Sequence, residues 1–284
     1  MTISIRPLED ADLVQADALL KLAFRSSISR LDDLQFHRQI QPEGWFVASR
    51  QEYLLGMVGA TRYGAWAHIG LMAVHPDTQR QGIGFALMNF ILAELERRQV
   101  ETVWLDASEM GRPLYEKLGF LSCDETFIFQ RSAGKLTGLE PAPRVQILSV
   151  RQLDELVQWD TKVFGADRRR VFQVLLDVFP QRSFAQRDKA GRLTGYLFAQ
   201  KNRIGPWVAL QPGSAEELLQ IALALPGYEE TISVAVPSVN EDAIELMQRC
   251  GFEHVRTNRH MWRGVEQYPG QRHKIYAQTS LAVG

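Results

Sequence analysis

The stretch Leu71-Met72-Ala73-Val74-His75-Pro76-Asp77-Thr78-Gln79-Arg80-Gln81-Gly82-Ile83-Gly84-Phe85 carries the most information in the chain. Its opening residues continue an apolar run from His68 to Val74, the pattern of a buried strand. His75-Pro76-Asp77 ends that run, and a glycine-containing turn follows. Phe85 to Arg98 then places Leu87, Met88, Ile91, Leu92 and Leu95 on one helical face, with Glu94 and Arg98 spaced as an i,i+4 pair. A strand–turn–helix of this kind leaves the first helical N–H groups without intrahelical acceptors. The helix start adds roughly half a positive charge. Together they make a cradle for an anion such as a pyrophosphate. Gly82 and Gly84 let the backbone approach such a group without a Cβ in the way, and Arg80 and Gln81 can reach over it. The spacing is not that of the P-loop, since no Lys follows. Nor is it the dinucleotide fingerprint, whose third Gly is replaced by Leu87. Taken alone, the Gly-x-Gly turn fits a ligand-free tight loop equally well.

Outward from this stretch, strands and helices alternate. Ser4 to Arg6 reads as a short strand and Leu13 to Phe24 as an amphipathic helix. Trp45 to Ala48 and Tyr53 to Tyr63 read as strands, with Gly56 and Gly59 marking a bulge or a close backbone approach. Beyond the central helix come a strand at Thr102 to Leu105, a helix at Arg112 to Leu118 and a strand at Phe127 to Gln130. This order predicts an α/β fold built on a mixed sheet.

A second motif follows the first after one helix and one strand: Ser108-Glu109-Met110-Gly111-Arg112-Pro113-Leu114-Tyr115-Glu116-Lys117-Leu118-Gly119-Phe120. The pair resembles the GCN5-related N-acetyltransferases (GNAT). Their loop has the form Gln/Arg-x-x-Gly-x-Gly/Ala, matched by Gln79-x-x-Gly82-x-Gly84, and their next motif has the form Asn-x-x-Ala-x-x-Leu-Tyr-x-x-x-Gly-Phe. The match spans residues 3 to 131.

The resemblance implies a sheet whose fourth and fifth strands splay apart like a V. Acyl-CoA, here acetyl-CoA, lies in the opening as co-substrate, and no metal is implied. Met72, Ala73 and Val74 then offer main-chain groups to the pantetheine arm and the acyl carbonyl. Gln79, Arg80, Gln81, Gly82, Ile83, Gly84 and Phe85 hold the pyrophosphate. Ser108 replaces the family's Asn and keeps part of a cofactor hydrogen bond, while Gly111 replaces its Ala. Tyr115 lies against the cofactor and, by position, is the general acid. An amine attacks the thioester and a thiolate leaves. A thiol pKa of about 8.5 and a Tyr pKa of about 10 make that proton transfer close to balanced. The other reading of Tyr115 is a ring packed on a helix face. No carboxylate sits in Leu71 to Val74, so the base is open among His68, Asp106, Glu109 and a water chain. His68 also reads as a strand-end imidazole, and His75 as a shaper of the turn.

The order of elements then repeats. Leu153 to Phe164 parallels Leu13 to Phe24. Ser183 to Gln186 and Gly191 to Gln200 parallel Trp45 to Ala60, Ile204 to Leu210 the His68 strand, and Ile232 to Val236 the Thr102 strand. Leu246 to Phe252 parallels Leu114 to Phe120, both ending in Gly-Phe. Yet the second loop lacks its second Gly, and Met247 stands where Tyr115 stands. A thioether cannot donate a proton. Residues 145–264 therefore read as a degenerate copy, resembling the C-terminal domain of tandem members of the superfamily, that walls off the acceptor pocket. The expected domains are 1–131 (catalytic), a 132–144 linker, 145–264 (degenerate) and a 265–284 tail whose apolar end is free either to dock or to fray. Trp66, Trp207 and Trp262 are candidates for pocket walls or for core.

Composition narrows the classes. With 32 basic and 33 acidic residues the net charge is -1, which argues against nucleic acid or an anionic membrane as partner. The run Arg168-Arg169-Arg170 reads as a solvated helix start. Two cysteines, no signal-peptide pattern and no long apolar run point to the cytoplasm. The expected acceptor is a small-molecule amine and the expected state a monomer or homodimer. The competing readings are a non-catalytic acyl-CoA sensor and an enzyme acting on a peptide or protein amine.

Overall fold

The computed structural model describes residues 3–133, 144–228, 231–266 and 270–284. Most of the expected linker, 134–143, lies outside the described residues. The chain forms two compact units. In the first, β1 (Ser4–Pro7) leads to a short 3-10 turn and to α1 (Leu13–Ala23), which buries Leu13, Ala16, Leu19 and Leu20. α2 (Leu31–Ile40), β2 (Trp45–Arg50), β3 (Tyr53–Tyr63), β4 (Trp66–Val74), α3 (Ile83–Arg97), β5 (Thr102–Ala107) and α4 (Arg112–Lys117) follow. β1 to β4 pair antiparallel in sequence order, and β4 then pairs parallel with β5. The core of this unit sits under α3, where Ile83, Leu87, Met88, Ile91 and Leu95 meet Val58, Ala67, Ile69, Val103 and Leu105 of the sheet. Two strand glycines make the close approaches expected of them. A Cβ on Gly56 would lie 2.9 Å from Leu87 Cδ1, and one on Gly59 would lie 1.8 Å from the Trp45 ring. The Glu94–Arg98 pair does not form: Glu94 pairs with Arg97 one residue earlier, and Arg98 reaches Glu43.

The second unit repeats the order with β6 (Leu121–Ser132), β7 (Val145–Ile147), α5 (Leu153–Phe164), α6 (Arg169–Val178), β8 (Ser183–Arg187), β9 (Leu193–Ala199), β10 (Arg203–Ala209), α7 (Pro212–Ala224), β11 (Thr231–Pro237), α8 (Glu241–Arg249), β12 (Glu253–Gly264) and β13 (Ile275–Ala277). β7 to β10 pair antiparallel except that β10 and β11 run parallel. Its core gathers Leu197, Trp207, Leu218, Val234, Leu246 and Met247. Arg168 departs from the expected solvated helix start. It is 2% exposed and clamps Asp160 at 2.7 and 2.9 Å, with its guanidinium 3.8 Å from the Phe164 ring centre. Burial is tolerable because the charge is both paired and stacked; Arg169 does stay at the surface, paired with Asp154.

The units are not contiguous in sequence, unlike the expected division at 131 and 145. The first takes in the chain up to Ser122, then Met261–Glu266 and Leu281–Gly284. β6, read as the last strand of the first domain, pairs with β11 from Thr126↔Pro237 to Ser132↔Thr231 and buries Phe129 in the second core. β12 borders β5, puts Met261 into the first core, and Thr102 Oγ1 donates to Val265 O at 2.7 Å. Each unit thus completes its sheet with a strand from the other repeat. No described helix is long and apolar enough to cross a membrane.

Candidate active site

The site is set by where β4 and β5 stop pairing. Their parallel register runs from Trp66↔Thr102 to Ile69↔Leu105 and ends there, although β4 continues to Val74 and β5 to Ala107. At the parting point β4 carries a bulge. Gly70 faces Gly59 and Ala73 faces Met57, so Leu71 and Met72 together oppose Val58. Leu71 takes φ +49, a conformation that a non-glycine residue adopts at a cost. The bulge takes main-chain groups of β4 out of the ladder. Nothing in the residue type at Leu71 announces it; only the interrupted pairing does.

The loop after β4 reaches α3 through two left-handed residues, Arg80 (φ +59) and Gly82 (φ +83). Gly82 is the N-cap of α3 and no side chain caps it. The N–H groups of Ile83, Gly84 and Phe85 precede the first intrahelical bond, Ala86 N to Gly82 O at 2.9 Å. No acidic residue stands in that first turn. A Cβ on Gly82 would meet nothing within 4 Å, so the space beside it is open. Gly84 differs: its Cβ would lie 3.0 Å from Met72 Cε, 3.4 Å from Leu114 Cδ2 and 3.5 Å from Val74 Cγ2. Gly84 is the joint at which β4, α3 and α4 meet. Arg80 and Gln81 are exposed, Gln81 holding Asp77 O. Gln79 folds back instead, donating to Val74 O at 3.3 Å. The Ile83 side chain is in the core, which leaves only its backbone to face the loop.

α4 brings Tyr115 to the same place. Its ring is 8% exposed and packs edge-on against Phe120, with centroids 5.9 Å apart. Burial pushes its hydroxyl pKa well above the usual phenol value, so the phenol keeps its proton. Ser108 Oγ accepts from Gly111 N at 3.2 Å, and its carbonyl accepts from Arg112 N at 2.9 Å, so Ser108 organises the start of α4. A Cβ on Gly111 would sit 3.1 Å from the Tyr115 ring, which explains glycine there. Of the three side chains read as candidate bases, two meet. His68 Nε2 lies 3.6 Å from Asp106 Oδ2, with both side chains buried at the parting of the strands, while Glu109 is exposed. His68 is thus no strand-end imidazole.

A parting of β4 from β5, a β4 bulge, an uncapped helix start and a Tyr-bearing helix now stand in one unit. The acetyltransferase (GNAT) family model matches residues 13–120, and a second acetyltransferase (GNAT) domain model matches residues 156–277. The chain is a tandem GNAT N-acetyltransferase. Among relatives, the holothin acyltransferase of a Pseudoalteromonas species is 24% identical over 260 residues, covering 89% of this chain and 86% of that protein. The uncharacterised N-acetyltransferase YitH of Bacillus subtilis is 25% identical over 245 residues, 81% of each chain. Among solved structures, a putative acetyltransferase from Pyrococcus horikoshii superposes with TM-score 0.86 at 26% identity, covering 99% of this chain and 96% of that one.

Among the described residues, the second GNAT unit does not repeat these features of the first. β10 and β11 also part, after Ile204↔Val234. Here the opening is filled by the unit's own chain: β13 pairs with β10 at Trp207↔Ala277 and Val208↔Ile275, and Gln278 N donates to Ala235 O of β11 at 2.9 Å. Only Leu210 and Gln211 separate β10 from α7, against eight residues between β4 and α3. The helix opens on Pro212, which has no N–H. Asn240, retained from the family motif, caps Ala243 N and donates to Ile275 O of the filling strand, both at 3.0 Å. Met247 is core. Trp207 is core as well, while Trp66 packs on Tyr63 and Trp262 near Trp104.

Proposed function

We propose that the first unit transfers an acetyl group from acetyl-CoA to the primary amine of a small molecule, with Tyr115 as general acid. The observation that carries this reading is the convergence, at one parting of β4 from β5, of the Leu71 bulge, the uncapped start of α3 and the buried Tyr115. GNAT enzymes use acetyl-CoA generally. Its fit here rests on the open space beside Gly82 and on the free N–H groups of a first turn that carries no acidic residue. Residues Arg80 to Phe85 hold the pyrophosphate by backbone N–H groups and helix dipole. Met72, Ala73 and Val74 offer main-chain partners to the pantetheine arm, and Ser108 an exposed hydroxyl. The small-molecule acceptor draws support from the relative along most of the chain whose name makes holothin its acceptor.

In the reaction the amine nitrogen forms a bond to the thioester carbon, and the C–S bond breaks. Tyr115 gives its proton to the departing sulfur. Its raised pKa keeps the donor form present through neutral pH while making the phenol a weaker acid than its ordinary value implies. The acceptor for the proton leaving the amine is read as the Asp106–His68 pair, whose side chains meet at 3.6 Å where the strands part.

The test is thermal and kinetic. Acetyl-CoA raises the Tm of the wild type by several degrees and leaves a Gly82→Glu, Gly84→Glu variant unmoved. On an amine panel followed by thiol release, Tyr115→Phe lowers kcat by about 10²–10⁴ while acetyl-CoA binding survives. Unchanged turnover in that variant removes Tyr115 from the role.

A further inference from the structure

Strand alternation puts Ala67 and Ile69 of β4 on the face that α3 covers, where both are core. His68 and Gly70 therefore face the other way, away from α3. That side is crossed by a short stretch of chain, Leu281–Gly284, which belongs to the first unit. It comes so close to β4 that a Cβ on Gly70 would lie 2.2 Å from Ala282 Cα. Tyr63 Oη donates to Val283 O at 2.5 Å. Gly284 lies over the imidazole of His68, its Cβ position 3.3 Å from Nδ1. Ala282 and Val283 are 3% and 0% exposed.

We propose that Leu281–Gly284 is a fixed strap that sets acceptor selectivity, admitting only an unbranched primary amine presented end-on. The inference rests on the first unit being the acyl-transfer site. The strap's backbone runs from the end of β3, at Tyr63, to Gly70 of β4, one residue beyond the last paired rung at Ile69↔Leu105. An acceptor with chain on both sides of its nitrogen, or branched beside it, collides with Ala282 before reaching the thioester. A nitrogen at the tip of a slender chain enters past the strap. The strap is a wall rather than a lid, because lids are drawn from weakly packed segments and this one is buried and hydrogen-bonded. Its side chains carry no charge, so it selects by shape.

Two substitutions loosen the strap without removing it. Gly70→Ala pushes a methyl group into Ala282, and Tyr63→Phe removes the hydrogen bond to Val283 O; Tyr63→Phe is the milder and keeps the test alive if Gly70→Ala fails to fold. Each is assayed with acetyl-CoA and three acceptors: a straight-chain primary amine, its α-branched isomer and a secondary amine. The ratio of kcat/KM for the branched or secondary amine to that for the straight-chain amine rises about tenfold or more in the variants. The KM for acetyl-CoA stays within about twofold. A merely structural strap would lower Tm and leave the ratio unchanged, and that result overturns the proposal. If the wild type already accepts branched and straight amines alike, the proposal also falls. A wild type that acetylates no amine brings down the functional reading itself, a failure visible before any variant is made.

Discussion

Gly82 and Gly84 stand two residues apart and are needed for different reasons. Gly82 has φ +83 and open space where a Cβ would go, so its constraint is backbone conformation. An L-residue held there costs about 1–2 kcal/mol. Gly82→Ala should therefore lower the urea midpoint by a corresponding amount with an unchanged m-value. Gly84 is inside α3, and its Cβ would press on the flexible end of Met72. Gly84→Ala gains at most about 1 kcal/mol of helix propensity, the value for a helix interior, which offsets that displacement. Its midpoint should stay near the wild-type value. Equal losses in the two variants would show that loop conformation is not what separates the two positions.

At the scale of elements, the entry to α1 shows how a turn is held by charge. Glu9 and Asp12 form a reciprocal capping box around the 3-10 turn, and Asp12 is clamped by Arg6 at 2.6 and 2.8 Å. The Arg6 hydrogen bonds outweigh burial and hold the Asp12 pKa below the ordinary carboxylate value. A depressed folded-state pKa stabilises the fold above the unfolded pKa, and that contribution is lost as pH falls through the folded one. Stability should thus decline as pH drops below about 4, and the decline should be shallower in Asp12→Asn, read from urea midpoints across pH. An identical acid slope in that variant would mean Asp12 does not carry it. One element that escaped the sequence reading is α2. α2 has the polar run Leu31-Asp32-Asp33-Leu34-Gln35-Phe36-His37-Arg38-Gln39-Ile40, and it buries a His37 stacked on Trp45, with centroids 5.2 Å apart. Its burial depends on a distant tryptophan that no local period reveals.

At the scale of the whole molecule, the two units differ in what lies beside the parting of their strands. β13 occupies the second parting, pairing with β10 where the first unit keeps β4 free. Isothermal titration should give one acetyl-CoA per chain, and a Met247→Tyr substitution should leave that number unchanged. A stoichiometry near two would mean that β13 yields to the cofactor.

The sequence by itself determined the repeat, most helices and strands, and the residues lining the first loop, because periodicity, glycine placement and proline are local signals. The two motifs in order were enough to name the superfamily, and Met247 in place of Tyr115 was enough to mark the second half as altered. Tertiary structure decided the rest. β6 and β12 have interchangeable patterns, so only packing assigns Phe129 to one core and Met261 to the other. The bulge at Leu71, the meeting of His68 with Asp106, the filling of the second cleft by β13 and the strap at Leu281–Gly284 join residues far apart in the chain. Such contacts depend on where strands stop pairing, and pairing is a property of two segments that neither segment carries alone.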